Sequence, residues 1–264
     1  MSAPEAIDCH AHVLAKERKI TSDRHVSPGR DYTIDELLQI FKEHGISRGL
    51  LTAPSYYLTD NSLLLSALAR APVLRGTVNL QPDTTMAEIE ALGQKGVCGM
   101  RLNWWRKKEL PDIKIYRDLL AKIKAANWHL ELFLDGVNMP HVLPTVKESG
   151  VKLVLDHFGC PDPVDGVASL GFRMMLDMVS SGQAWVKLSA PYRLNGGDPK
   201  LYAHALLSCA GPQRLMWASD WPWGGFEEGM TYQRCLDWLV EWIPDENARR
   251  IVLCETPRKL FGFQ

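Results

Sequence analysis

The chain has 264 residues, of which 46% are hydrophobic and 23% charged, and a formal net charge of −1 at pH 7. This is the composition of a soluble globular protein long enough for one large α/β domain. The near-neutral balance argues against nucleic-acid binding, which draws on a basic excess, and no apolar run approaches the roughly 20 residues of a membrane span. The N-terminus lacks a basic start and apolar stretch, so the expected location is cytoplasmic. The 6 cysteines form no CxxC pair and are expected to be reduced thiols.

The first element is the run 6–12, AIDCHAH, read as a strand. Alternate side chains on a strand share a face, so His10 and His12 point the same way. The stretch 33–45, TIDELLQIFKEHG, follows as a helix, with Thr33 as N-cap, Glu36 three residues on, and Gly45 as the stop. Further apolar runs lie at 47–54, 74–81, 97–103, 128–135, 151–159, 184–191 and 214–222. Helical periodicity fills the intervals, as in 115–128 and 140–150. Strands alternating with helices predict a parallel sheet, and eight of them at this length predict a single TIM-type (β/α)8 barrel over residues 1–264. No G-x-G-x-x-G follows a strand, which removes the main reason for a Rossmann reading. The closing stretch, 244–263, reads as a helix pair packed on the outside.

Barrels of this kind place their active sites at the C-terminal ends of the strands. The polar residues predicted there are His10 and His12, Arg101 and Asn103, Asp135, Asp156 and His157, Ser189 and Arg193, and Asp220. Three histidines and an aspartate are donors that suit zinc or manganese. Asp156 and His157 are neighbours, so on a regular strand only one of them faces the site. Each residue also has a plainer reading: a strand histidine as a satisfied structural group, Asp220 as the cap of the next turn, the arginines as surface side chains. The segment 13–32 carries Lys16, Arg18, Lys19, Arg24 and Arg30 against Glu17, Asp23 and Asp31, and Arg106 to Lys108 add to it. These charges predict a cationic mouth that steers small anions.

The combination of IDCHAHV, GMRLNWW, DHFGCPD, KLSAPYRL, LMWASDWPW and ETPRKLFGF resembles the amidohydrolase superfamily, in the branch typified by the pyrone dicarboxylate lactonases. The likeness runs nearly end to end. It implies a (β/α) barrel, a hydrolase acting on a lactone or related ester, and His10, His12, His157 and Asp220 as the catalytic centre. Asp220 takes the proton of the attacking water. The same four residues are the ligands if one divalent ion, zinc or manganese, is held; some members work without metal, so both cases stay open. A bridged pair of ions is not expected, because the fourth strand offers Arg101 where binuclear members have a bridging lysine or acid. The resemblance also implies substrate contacts from Arg101, Arg193, Tyr32 and Lys107, and Ser189 lies with them at the seventh strand's tip. Cys160 and Phe133 stand where the branch has an arginine and a tyrosine, which points away from the doubly charged pyrone as substrate. The expected partner is a small anionic organic molecule, with no nucleic acid or membrane; an oligomer is left open. Two other readings are a metal-dependent, non-oxidative decarboxylase of an aromatic acid and a metabolite-binding barrel without catalysis.

Overall fold

The computed structural model describes residues 6–18 and 28–263. The strands are β1 (Ala6–Ala11), β2 (Ile46–Thr52), β3 (Leu74–Val78), β4 (Val97–Asn103), β5 (His129–Phe133), β6 (Lys152–Leu155), β7 (Ala184–Leu188) and β8 (Leu215–Trp217). Each pairs in parallel with the next, in sequence order. Between them run α1 (Ile34–Glu43), α2 (Ser62–Arg70), α3 (Met86–Gly93), α4 (Arg117–Ala125), α5 (Met139–Ser149), α6 (Leu170–Ser180) and α7 (Pro199–Ala210), with α8 (Tyr232–Trp242) after β8. The architecture is a TIM-type (β/α)8 barrel, as the alternation predicts. Local signals act as read: Thr33 Oγ1 accepts from the Glu36 amide at 3.2 Å, and Gly45 takes the left-handed φ of 70° that ends α1. The stretch 115–128 is divided, a 3-10 turn over Ile113–Tyr116 leading into α4.

Closure of the barrel falls on β1 and the residues that follow β8. Ala11 bridges to Trp221, the His12 amide donates to the Trp221 carbonyl at 2.9 Å, and the Asp220 amide donates to the His10 carbonyl at 3.0 Å. A register shift between Asp8 and Ala11 turns the side chains within β1. Asp8 therefore faces the helix layer, where Tyr232 of α8 donates to it at 2.8 Å. Asp8 also accepts from Ser219, amide at 3.0 Å and hydroxyl at 2.5 Å, which fastens the two ends of the sheet together. His10 and His12 point inward, beside the peptide of Asp220.

The C-terminal segment departs from its expected place on the outside. α9 (Glu246–Arg250) and α10 (Thr256–Phe261) are joined by a π-type turn over Ile251–Glu255. Phe261 and Phe263 pack with Ile7, Cys9, Leu50, Val154, Met216 and Ala218 inside the barrel. Phe261 also lies 5.1 Å from the ring of His129, the first residue of β5, so the segment plugs the N-terminal end. The physical reason is apolar: two phenylalanines on the outer surface would stay wet, while the barrel floor needs covering. Among the described residues, no helix is long and apolar enough to cross a membrane.

Candidate active site

The mouth opposite this plug gathers side chains from three regions of the chain. β1 supplies His10 and the residue just past its end, His12; the turn after β6 supplies His157; the residues after β8 supply Asp220. His157 and Asp220 both have left-handed backbones, with φ of 49° and 58°. Non-glycine residues rarely adopt that conformation, and its cost is commonly carried at functional sites. The bend at His157 also overturns the either/or expectation for its neighbour. β6 ends at Leu155, so strand alternation no longer applies, and both Asp156 and His157 turn into the barrel and are buried.

Asp220 is the hub. Its Oδ1 lies 3.6 Å from His10 Nε2, 3.6 Å from His157 Nε2 and 3.9 Å from His12 Nε2. Its Oδ2 accepts from the Tyr192 hydroxyl at 2.8 Å and the Arg193 Nε at 2.9 Å, with the Arg193 terminal nitrogen also at 2.9 Å. His12 Nδ1 donates to the Thr52 carbonyl at 2.6 Å, and His157 Nδ1 is 2.9 Å from the Ser189 hydroxyl. The His10 and His12 Nε2 atoms are 3.2 Å apart. Phe133 stands edge-on to His157 and stacks on Trp105, closing one wall with apolar surface.

Electrostatics divide these groups. Burial alone would raise the Asp220 carboxyl, but Arg193 and the histidines outweigh it and hold the group below the usual carboxylate range. His12 and His157 are each pushed down to about 3, by burial first. Near neutral pH the site thus holds a carboxylate facing two uncharged imidazoles, and a neutral imidazole offers one nitrogen lone pair.

Directly beneath lies a ring of four buried charges. Glu131 and Asp156 each pair with both Arg101 and Lys187: Arg101 at 3.3 and 3.0 Å, Lys187 at 2.6 and 3.1 Å. Burial opposes charge in this layer, yet the pairing keeps Lys187 above its ordinary value and Glu131 and Asp156 below theirs. Arg101, expected to meet a substrate anion at the mouth, instead spends its guanidinium on two carboxylates of the chain and the Ala53 carbonyl. Lys107 is exposed, and its backbone amide closes a turn onto the Trp104 carbonyl. Tyr32 is half-buried, edge-on to Trp221 at 5.5 Å and covered by Arg30. The cationic loop is tempered by pairing, since Arg18 bonds Asp60 and Arg30 bonds Glu36. Lys19, Asp23 and Arg24 lie outside the described residues.

Comparison with known proteins decides the family. The family model for amidohydrolases matches residues 7–263. The chain belongs to the amidohydrolase family. As an amidohydrolase it is 26% identical over 273 residues to a 4-sulfomuconolactone hydrolase of Hydrogenophaga intermedia, covering 98% of this chain and 89% of that protein. It is 25% identical to a 2-pyrone-4,6-dicarboxylate hydrolase of Comamonas testosteroni, covering 97% of this chain and 90% of the other. A solved structure from Pseudomonas putida, provisionally named a 2-pyrone-4,6-dicarboxylic acid hydrolase, superposes with a TM-score of 0.91 at 34% identity, covering 99% of each chain.

Three residues of this amidohydrolase's site escape a motif reading. Glu131 and Lys187 are single charges inside otherwise apolar strands, HLELF and AWVKL, both wholly buried. A charge there is rare unless it is paired, and that rarity was the available signal. Tyr192 carried no signal beyond its place beside Arg193.

Proposed function

We propose that this amidohydrolase opens a small anionic lactone by attack of water, with Asp220 as general base. The observation that carries the reading is the division of Asp220: Oδ2 is clamped by Tyr192 and Arg193, which leaves Oδ1 aimed at the three imidazoles. A water seated between Oδ1 and the histidines gives its proton to Asp220 as its oxygen attacks the lactone carbonyl. Imidazole N–H groups and Arg193 stabilise negative charge gathering on the carbonyl oxygen. The ring C–O bond breaks, and the proton held by Asp220 passes to the departing oxygen. Tyr32, Lys107 and Arg193 are the contacts assigned to the substrate's carboxylate, and the Phe133–Trp105 face is assigned to its flat apolar side. The named relatives act on lactones, which supports the same substrate class here.

The donor spacing also fits one divalent ion. A tetrahedral site with bonds near 2.1 Å separates its donors by about 3.4 Å, against 3.2 Å between the paired histidines and 3.6–3.9 Å from each histidine to Asp220. His10, His12, His157 and Asp220 would hold it, zinc or manganese, and it would supply a polarised carbonyl and a bound water of lowered pKa. Arg101 is bound up in the charged ring, so the reading allows no second, bridged ion.

The test is a panel of anionic lactones, run with added zinc and with chelator, using wild type and Asp220→Asn. Ring opening to the hydroxy acid is expected, with kcat lowered at least about 100-fold in the variant. Release of carbon dioxide from an aromatic acid instead, or an undiminished rate in Asp220→Asn, would end this reading.

A further inference from the structure

Lys187 touches nothing at the mouth, yet it reaches the catalytic cluster from below. Its Nζ is wholly buried, 3.0 Å from His10 Nδ1, and forms a hydrogen bond there. The two carboxylates at 2.6 and 3.1 Å keep it an ammonium, which has only N–H to offer. Toward that ammonium His10 Nδ1 can only accept; the competing arrangement, in which Nδ1 donates, would use Asp156 Oδ1 at 3.2 Å or Glu131 Oε1 at 3.5 Å. A neutral imidazole that accepts on Nδ1 carries its proton on Nε2, the atom facing Asp220 and His12. The next link agrees in direction. His12 Nδ1 faces a carbonyl oxygen at 2.6 Å and must donate, which leaves His12 Nε2 to accept from His10 Nε2 at 3.2 Å. One ordered chain results: Lys187 to His10, His10 to His12, His12 to the Thr52 carbonyl.

We propose that Lys187 is a positioning residue that locks His10 into the Nε2–H tautomer, so that His10 enters the pocket as a hydrogen-bond donor and not as a metal ligand. Ligation through Nε2 needs the opposite wiring, with the His10 Nδ1 proton given to Asp156 Oδ1 at 3.2 Å and Lys187 turned away. In the resting protein His10 Nε2 has no lone pair to offer and His12 Nε2 is taken up by the His10 N–H, so only His157 and Asp220 are left free and any zinc is held weakly. The inference rests on the reading of these four residues as one site. Its readouts need no substrate, so it fails or survives independently of lactone turnover.

Two measurements test it. The first is 15N NMR of histidine-labelled, chelator-treated wild type, with the His10 signals identified by their loss in His10→Gln. His10 is expected to show a bare Nδ1 and a protonated Nε2; the reverse pattern overturns the proposal. The second is zinc competition against a chromophoric chelator, comparing wild type with the charge-balanced double variant Glu131→Gln, Lys187→Met. Removing the ammonium frees Nδ1 to donate, so the double variant is expected to bind zinc at least about tenfold more tightly. Equal or weaker binding than wild type overturns the proposal, and the NMR result on wild type stands even if the variant does not fold.

Discussion

Because Tyr192 and Arg193 both reach Oδ2 of Asp220, the oxygen left to accept a proton is Oδ1, and the clamp fixes where that oxygen points. Tyr192→Phe tests the clamp while keeping the ring that packs beside Phe226. One hydrogen bond to a charged acceptor is worth about 1.5–3 kcal/mol, so kcat/KM is expected to fall roughly tenfold to a hundredfold. The loss belongs mainly in kcat, since the phenol holds the base and not the substrate; steady-state kinetics on the active lactone separate the two. A change confined to KM would reassign Tyr192 to substrate binding. At this scale the sequence was informative where a spacing recurs in a known pattern: the histidine pair and the late aspartate meet in space, and HxH with SDWP pointed to them. It was silent on Tyr192, because nothing in PYR distinguishes a phenol facing a carboxylate from one facing solvent. It did not reveal that Arg101 pairs with two carboxylates of the chain, since a strand-tip arginine reads alike whether its anion is foreign or belongs to the chain.

At the scale of elements, the helix N-cap at Thr33 and the strand count were legible because they depend on neighbours in sequence. Two features were not. The register shift in β1 separates Asp8 from His10 although the two residues share parity, and only pairing with β2 reveals it. The destination of the C-terminal segment depends on an opening at the far end of the barrel, which no local pattern records. Phe261 and Phe263 go there because the floor offers apolar walls at Ile7, Leu50 and Met216. Phe261→Ala leaves a cavity in that floor and is expected to destabilise the protein by about 3–5 kcal/mol, read as a lowered denaturant midpoint. The ring layer lies between the floor and the mouth, so kcat below the melting range should be nearly unchanged. A variant as stable as wild type would return the segment to the outside of the barrel.

Across the whole molecule the barrel interior is layered: an aromatic floor, a ring of alternating charges, and the imidazole–carboxylate mouth. Barrel interiors are usually filled by branched apolar side chains, and four buried charges are costly to desolvate, so this middle layer holds only as a balanced set. Arg101, Glu131, Asp156 and Lys187 come from β4, β5, the turn after β6 and β7, in that order. Their charges look unrelated along the chain and become partners only when the strands stand side by side. The balance makes a specific prediction. Glu131→Gln leaves two cations against Asp156 alone, and Lys187→Met leaves two carboxylates against Arg101 alone; each is expected to cost about 3–5 kcal/mol in urea unfolding. The double variant restores one cation to one anion, so its cost should fall short of the sum of the singles by about 0.5–3 kcal/mol, the range for residues sharing a network. Strictly additive costs would mean that the two side chains do not feel each other, and the ring would then be four separate charges and no support for His10.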